Sequence, residues 1–226
     1  MKFSIKTAAL LTGFCAAFTA NANIISSYDI DFAAQTLTAH QQSGTSNYGT
    51  WTNNGSVLNL RENSWFTLNL DDAFGIQSLD LDNSASDILL SFEFRMTPGN
   101  NNTNANPYSE IGGIWLADFS AGEQNNDASR TFALGGTQNF GLDDFTYTSE
   151  PAWETFSITL DDYMSGLITD IVFINDCDAA SGCGDMKVRF RNASITEVSE
   201  PTAMSLILLG IGFMGWRTRR QNQKVA

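Results

Sequence analysis

In residues 88–96, Ile88, Leu90, Phe92, Phe94 and Met96 are large and apolar, and Ser91, Glu93 and Arg95 between them are polar. A period of two is that of a strand with one face buried; a helix of period 3.6 would scatter these side chains around its circumference. The same alternation places Phe156, Ile158 and Leu160 against Thr155, Ser157 and Thr159, and Met186, Val188 and Phe190 against Lys187, Arg189 and Arg191. Residues 64–70 and 168–174 are further strand candidates. The second is apolar on both faces and is expected at the centre of a sheet. Weaker strand signals run through residues 24–32 and 57–60. Turn chemistry falls between the runs, at Asn53-Asn54-Gly55, Asp71-Asp72, Pro98-Gly99, Gly135-Gly136 and Asp161-Asp162. Many short strands with such spacers predict an all-β fold, an antiparallel β-sandwich of jelly-roll type. Helical patterns occur only at the two ends of the chain.

Those ends read as addresses rather than fold. Lys2 and Lys6 precede an apolar stretch at residues 8–18, which closes on the small residues Ala20-Asn21-Ala22. This is the layout of an N-terminal signal peptide cut after Ala22. The competing reading, a lipoprotein lipidated at Cys15, meets Phe14 where a small residue is expected. At the far end an apolar run over residues 203–216 is followed by Arg217, Arg219 and Arg220. As a C-terminal hydrophobic helix it would cover roughly 21 Å of a roughly 30 Å hydrocarbon core, and snorkelling arginines extend that reach. An apolar-all-round run capped by three arginines suits lipid better than a buried core position. The arginines should stay on the cytoplasmic side. Residues 1–22, 23–197 and 198–226 are therefore expected to be signal peptide, β-sandwich ectodomain and sorting tail.

Charge and cysteine usage narrow the partners. All 25 acidic residues lie between Asn23 and Pro201, against 6 of the 12 basic ones, which leaves the ectodomain at −19. Such a charge keeps a domain soluble and argues against nucleic acid or anionic head groups as partners. After signal removal only Cys177 and Cys183 remain. In an exported chain they read as a disulfide closing a small loop, rather than as free thiols or a metal pair.

Catalytic constellations are thin. His40 is the only histidine and stands among Gln, Ser and Gly. That disfavours a Ser-His-Asp arrangement and leaves no histidine-rich zinc site. No glycine-rich phosphate loop is present. Glu93 and Glu110 are a formal carboxylate pair for glycoside cleavage, but in so acidic a domain some pair is always available. The segment holding Asp176, Asp178 and Asp185 offers oxygen donors beside Gly182 and Gly184, as a calcium ion requires; an acidic turn held by its own Asx hydrogen bonds is the alternative. Trp51, Tyr108, Tyr147 and Trp153 stand in polar or loop-like contexts where a ring can stack on a sugar, whereas Trp65 and Trp115 read as core. Lys187, Arg189 and Arg191 could receive an anionic polysaccharide, but pairing with acids on a neighbouring strand is the favoured expectation.

Two resemblances follow from these residues. Ser199-Glu200-Pro201, the apolar run and the Arg217-Thr218-Arg219-Arg220 cluster resemble the PEP-CTERM sorting signal, with Ser199 where that family usually has proline. The resemblance covers the last thirty or so residues. It implies export and processing by an exosortase in a Gram-negative bacterium that makes extracellular polysaccharide. The stretches Trp153-Glu154-Thr155-Phe156-Ser157-Ile158, Ile171-Val172-Phe173-Ile174-Asn175-Asp176 and Phe190-Arg191-Asn192-Ala193-Ser194-Ile195 look like the last strands of galactose-binding-like jelly rolls. Many carbohydrate-binding modules belong to that superfamily, often with a structural calcium. The expectation is therefore a non-catalytic, glycan-binding protein of the outer surface or extracellular matrix. The alternatives are a purely structural or adhesive matrix protein and, less favoured, a glycan-cleaving enzyme using paired carboxylates.

Overall fold

The alternation of residues 88–96 becomes a twelve-residue strand whose side chains are buried and half-buried by turns along its whole length. In this computed structural model the described residues are 23–40, 50–61, 63–83, 85–98, 109–122, 127–177 and 186–199, all within one compact unit, Asn23–Glu200. The strands in chain order are β1 (Ile24–Ile30), β2 (Thr38–Ala39), β3 (Thr50–Asn54), β4 (Val57–Arg61), β5 (Ser64–Asn69), β6 (Leu79–Asp80) and β7 (Ser86–Thr97). They continue with β8 (Ile111–Ala117), β9 (Thr131–Gly135), β10 (Glu154–Thr159), β11 (Leu167–Ile168), β12 (Asp170–Asp176) and β13 (Lys187–Ser199).

Two antiparallel sheets pack face to face. One has the order β10–β7–β13–β4–β3, with β1 also paired to β13; the other has the order β2–β5–β12–β8–β9. β6 and β11 form a small ribbon of their own. Strand β13 organises the first sheet. Along one edge it pairs with β7, and along the other its first half pairs with β4 and its second half with β1. The change of neighbour coincides with a bulge between Arg191 and Ser194, where Asn192 adopts φ +49°. Asparagine tolerates that left-handed conformation better than most residues, and a bulge bends the strand toward a new partner.

Aromatic side chains fill the space between the sheets. Phe190 of β13 meets Phe173 of β12 across the sandwich at 5.0 Å between ring centroids, and Phe94 of β7 beside it at 5.3 Å. As expected, β12 is central in its sheet, between β5 and β8. That sheet is buried on both faces: its outward side carries a second apolar cluster of Trp65, Ile111, Trp115, Ala117, Val172 and Ile174. Trp65 and Trp115 are thus core, as read from their strand contexts. His40, whose sequence neighbours are polar, stacks on Phe119 at 5.2 Å and meets Trp115 edge-on.

Two expectations need correction. Asp71-Asp72, read as a turn, is the first turn of a short helix, α1 (Leu70–Phe74), so helix is not confined to the chain ends. Asn69 caps it by accepting from the Asp72 amide, and Gly75 closes it at φ +70°. Asx turns and helix N-caps use the same side-chain-to-amide bond, so local chemistry alone does not separate them. Asp161-Asp162 likewise lies in a 3-10 turn, Leu160–Asp162. By contrast, Asn53-Asn54-Gly55 does turn the β3–β4 hairpin, with Gly55 at φ +65°.

Candidate functional site

The outward face of the six-stranded sheet collects the positive charge of an acidic domain. Side chains directly opposite on neighbouring strands lie about 5 Å apart at Cβ. The register sets Arg61 of β4 opposite Lys187 of β13, and Arg189 of β13 between Asn59 of β4 and Arg95 of β7. Arg191, one step further along β13, is opposite Glu93 of β7, and Glu93 is opposite Thr155 of β10. Five of the domain's six Lys and Arg residues therefore share one patch, about 14 Å along β13 and about 10 Å across. The sixth, Arg130, lies elsewhere and donates to the Leu167 carbonyl at 2.5 Å.

Among the described residues, only Arg191 of these cations has the acidic partner that sequence reasoning expected. Its Nε donates to Glu93 Oε2 at 2.5 Å, and Asn192 at the bulge donates to Glu93 Oε1 at 2.9 Å. Partial burial by itself would raise the Glu93 pKa; hydrogen bonds from Asn192 and Arg191, with the Arg191 charge, outweigh it and hold the carboxyl below its ordinary value. The Arg191 guanidinium also sits over the Trp153 ring, 4.2 Å from its centroid, in cation–π contact.

Among the described residues Lys187 and Arg189 do not meet the expected acids: the register sets Arg61 opposite Lys187 and Arg95 opposite Arg189. Arg189 donates to Asn59 Oδ1 at 2.8 Å, a neutral acceptor. Burial first, and then the charges of Arg95 and Arg61, push its pKa below the ordinary arginine value. Arg95 Nε is shielded from solvent and has no hydrogen-bond partner among the described residues. Beyond this basic area the same face carries hydroxyls: Ser91 is bonded to Ser157 at 3.1 Å, with Thr155 exposed beside them.

Other sequence-predicted residues fall as follows. Trp51 is not in a loop: it lies on β3, opposite Leu60, with its ring 6.0 Å from Phe66 and packed on the core. Tyr147 is buried, and its hydroxyl donates to the Ala152 carbonyl at 2.7 Å. Trp153 is half-buried and immediately precedes β10. Asp176 ends β12 and is 5% exposed, with Oδ1 accepting from Trp65 Nε1 at 3.2 Å. Cys177 follows it, buried beside Met186 and disulfide-bonded. Tyr108, Asp178, Asp185, Cys183, Ala22, Glu200, Pro201, Arg217, Arg219 and Arg220 lie outside the described residues, as does the asparagine-rich stretch 100–106. Glu93 and Glu110 stand on different parts of the fold: Glu93 faces outward from β7 of one sheet, and Glu110 immediately precedes β8 of the other. Among the described residues no three His, Cys, Asp or Glu side chains cluster as metal ligands.

Arg61 and Arg95 are the site residues that sequence reasoning missed. Each stands alone in its segment. The one available signal was parity: Arg95 alternates with Phe94 and Met96, which marks it as outward-facing but does not say what lies opposite. Comparison with protein-family models finds no match, and comparison with curated proteins finds none either.

Proposed function

We propose that the protein is an exported envelope or matrix protein, sorted through its C-terminal tail by an exosortase, whose jelly-roll sandwich binds glycan without cleaving it. The observation that carries the glycan reading is the outward face of the six-stranded sheet. There Trp153, the Arg191–Glu93–Asn192 network and the hydroxyls of Ser91, Ser157 and Thr155 lie side by side on adjoining strands. Sugars are recognised by ring stacking together with bidentate polar groups and hydroxyl acceptors, and a sheet holds such groups in fixed register.

The non-catalytic part of the reading is supported by the carboxylates. A glycosidase needs one acid that keeps its proton until the leaving group takes it. Glu93 is held toward the ionised form, and Glu110 lies just before β8 of the other sheet. The export part rests on the sequence pattern of the two end segments, and the ends of the domain itself meet. Asn23 and Ser199 are bonded to each other at the β1–β13 edge, with the Ser199 amide donating to the Asn23 carbonyl at 2.8 Å. Ile24 and Ile25, 68% and 56% exposed, lie at the same corner.

Retention of the full-length chain, in mild detergent, on a panel of immobilised polysaccharides tests the glycan reading. Retention lost with Trp153→Ala or Tyr108→Ala supports it; identical retention by the wild type and both variants refutes it. A structural calcium at Asp176, Asp178 and Asp185 belongs to the same proposal. Calcium should raise the melting temperature of the wild type, since ligand binding to the folded state alone stabilises it, and not of Asp178→Ala. Equal melting with calcium and with chelator removes the ion from the reading.

A further inference from the structure

We infer that the basic face formed by Arg61, Arg95, Lys187 and Arg189 is a binding site for an anionic, carboxylate-bearing polysaccharide. This rests on the glycan-binding reading and names the class of glycan. Like charges placed directly opposite on neighbouring strands are destabilising. Here Lys187 meets Arg61 and Arg189 meets Arg95, with no carboxylate paired to any of the four among the described residues. The domain has 25 acids from which partners could have been drawn, so four cations left facing one another is an arrangement that folding does not require. An external anion would supply the missing countercharge.

The geometry suits carboxylates. Arg95 and Arg189 are planar five-donor groups on adjacent strands, matched to the two oxygens of a carboxylate. Along β13 the cations recur at about 7 Å, every second residue of a strand. A polymer with one acid per sugar can therefore be met at successive positions, while Trp153 and the hydroxyls of Thr155 and Ser157 continue the face for neutral parts of the rings. Duplex DNA fits less well. It carries one charge per roughly 1.7 Å, far denser than cations about 7 Å apart along the strand.

The test measures binding of the full-length chain in mild detergent to polygalacturonate, with uncharged dextran and duplex DNA alongside. Polygalacturonate should bind, weaken between about 50 and 200 mM NaCl, and bind about tenfold more weakly to the double variant Arg95→Gln/Arg189→Gln. Arg95→Gln alone should melt no lower than the wild type at low salt, because it removes repulsion and no hydrogen bond seen among the described residues. Equal polygalacturonate binding by the double variant and the wild type, or a lower melt of Arg95→Gln, overturns the inference. Binding of dextran but not polygalacturonate overturns it while leaving the glycan reading intact; binding of neither polysaccharide ends both. Tighter binding of DNA than of polygalacturonate assigns the face to nucleic acid instead. Self-association that disappears in the variant, without polygalacturonate binding, assigns it to the acidic surface of a second copy.

Discussion

Glu93 is, among the described residues, the one carboxylate paired with the five cations, and replacing it with Gln removes that pair. The side chains of Arg191 and Glu93 are 35% and 22% exposed, so their pair belongs near the surface range of about 0.2–1 kcal/mol. The hydrogen bond from Asn192 adds about 0.5–1.5 kcal/mol at most, and glutamine retains part of it through its carbonyl oxygen. A loss of about 1–2 kcal/mol is expected at pH 7, which in a domain of this size is a fall in melting temperature of roughly 2–8 °C. The pH dependence is the sharper test. The folded carboxyl has a pKa below the ordinary value of 4.5, so its contribution is complete above 4.5 and is lost as pH falls through the folded value. Wild type and Glu93→Gln should therefore differ at pH 7 and converge in acid. Thermal melts at pH 7 and about pH 3 decide it. A difference of the same size at both values would refute the reasoning, since it would show that shape or packing, not charge, explains the loss.

Phe190→Ala should cost about 3–5 kcal/mol, because a fully buried ring between the two sheets leaves a cavity that three neighbouring phenylalanines cannot all collapse into. Urea unfolding checks this, and a loss under about 1.5 kcal/mol would mean the sheets close over the gap. Asp161 behaves oppositely to Glu93. Burial, outweighing the bond from the Ile88 amide, raises its folded pKa above 3.8, so its charge destabilises as pH rises through the interval between the unfolded and folded values. Asp161→Asn should melt higher than the wild type at pH 7 and lose that advantage below about pH 4. A variant that melts lower at pH 7 would show that the carboxylate is needed.

What the sequence determined by itself was periodicity and its consequences. The alternation in residues 88–96 and 156–160, and the segment at 168–174 with apolar residues on both faces, set which segments are strands and which face of each is buried, because side-chain direction in a strand depends only on parity. Hence β7 and β10 were legible, with β12 as a central strand, and so was the outward orientation of Glu93, Arg95, Lys187, Arg189 and Arg191. The turn at Gly55 was also legible, since its positive φ favours glycine. Parity says nothing about register or neighbours. That Arg189 faces Arg95 rather than an acid, and that Lys187 faces Arg61, follow from pairings between residues 94 and 126 positions apart in the chain. Those pairings are chosen by how the inner faces of the two sheets interlock around Phe190 and Phe173. The outer charges are carried into place by that choice, so only the tertiary structure could bring four cations together.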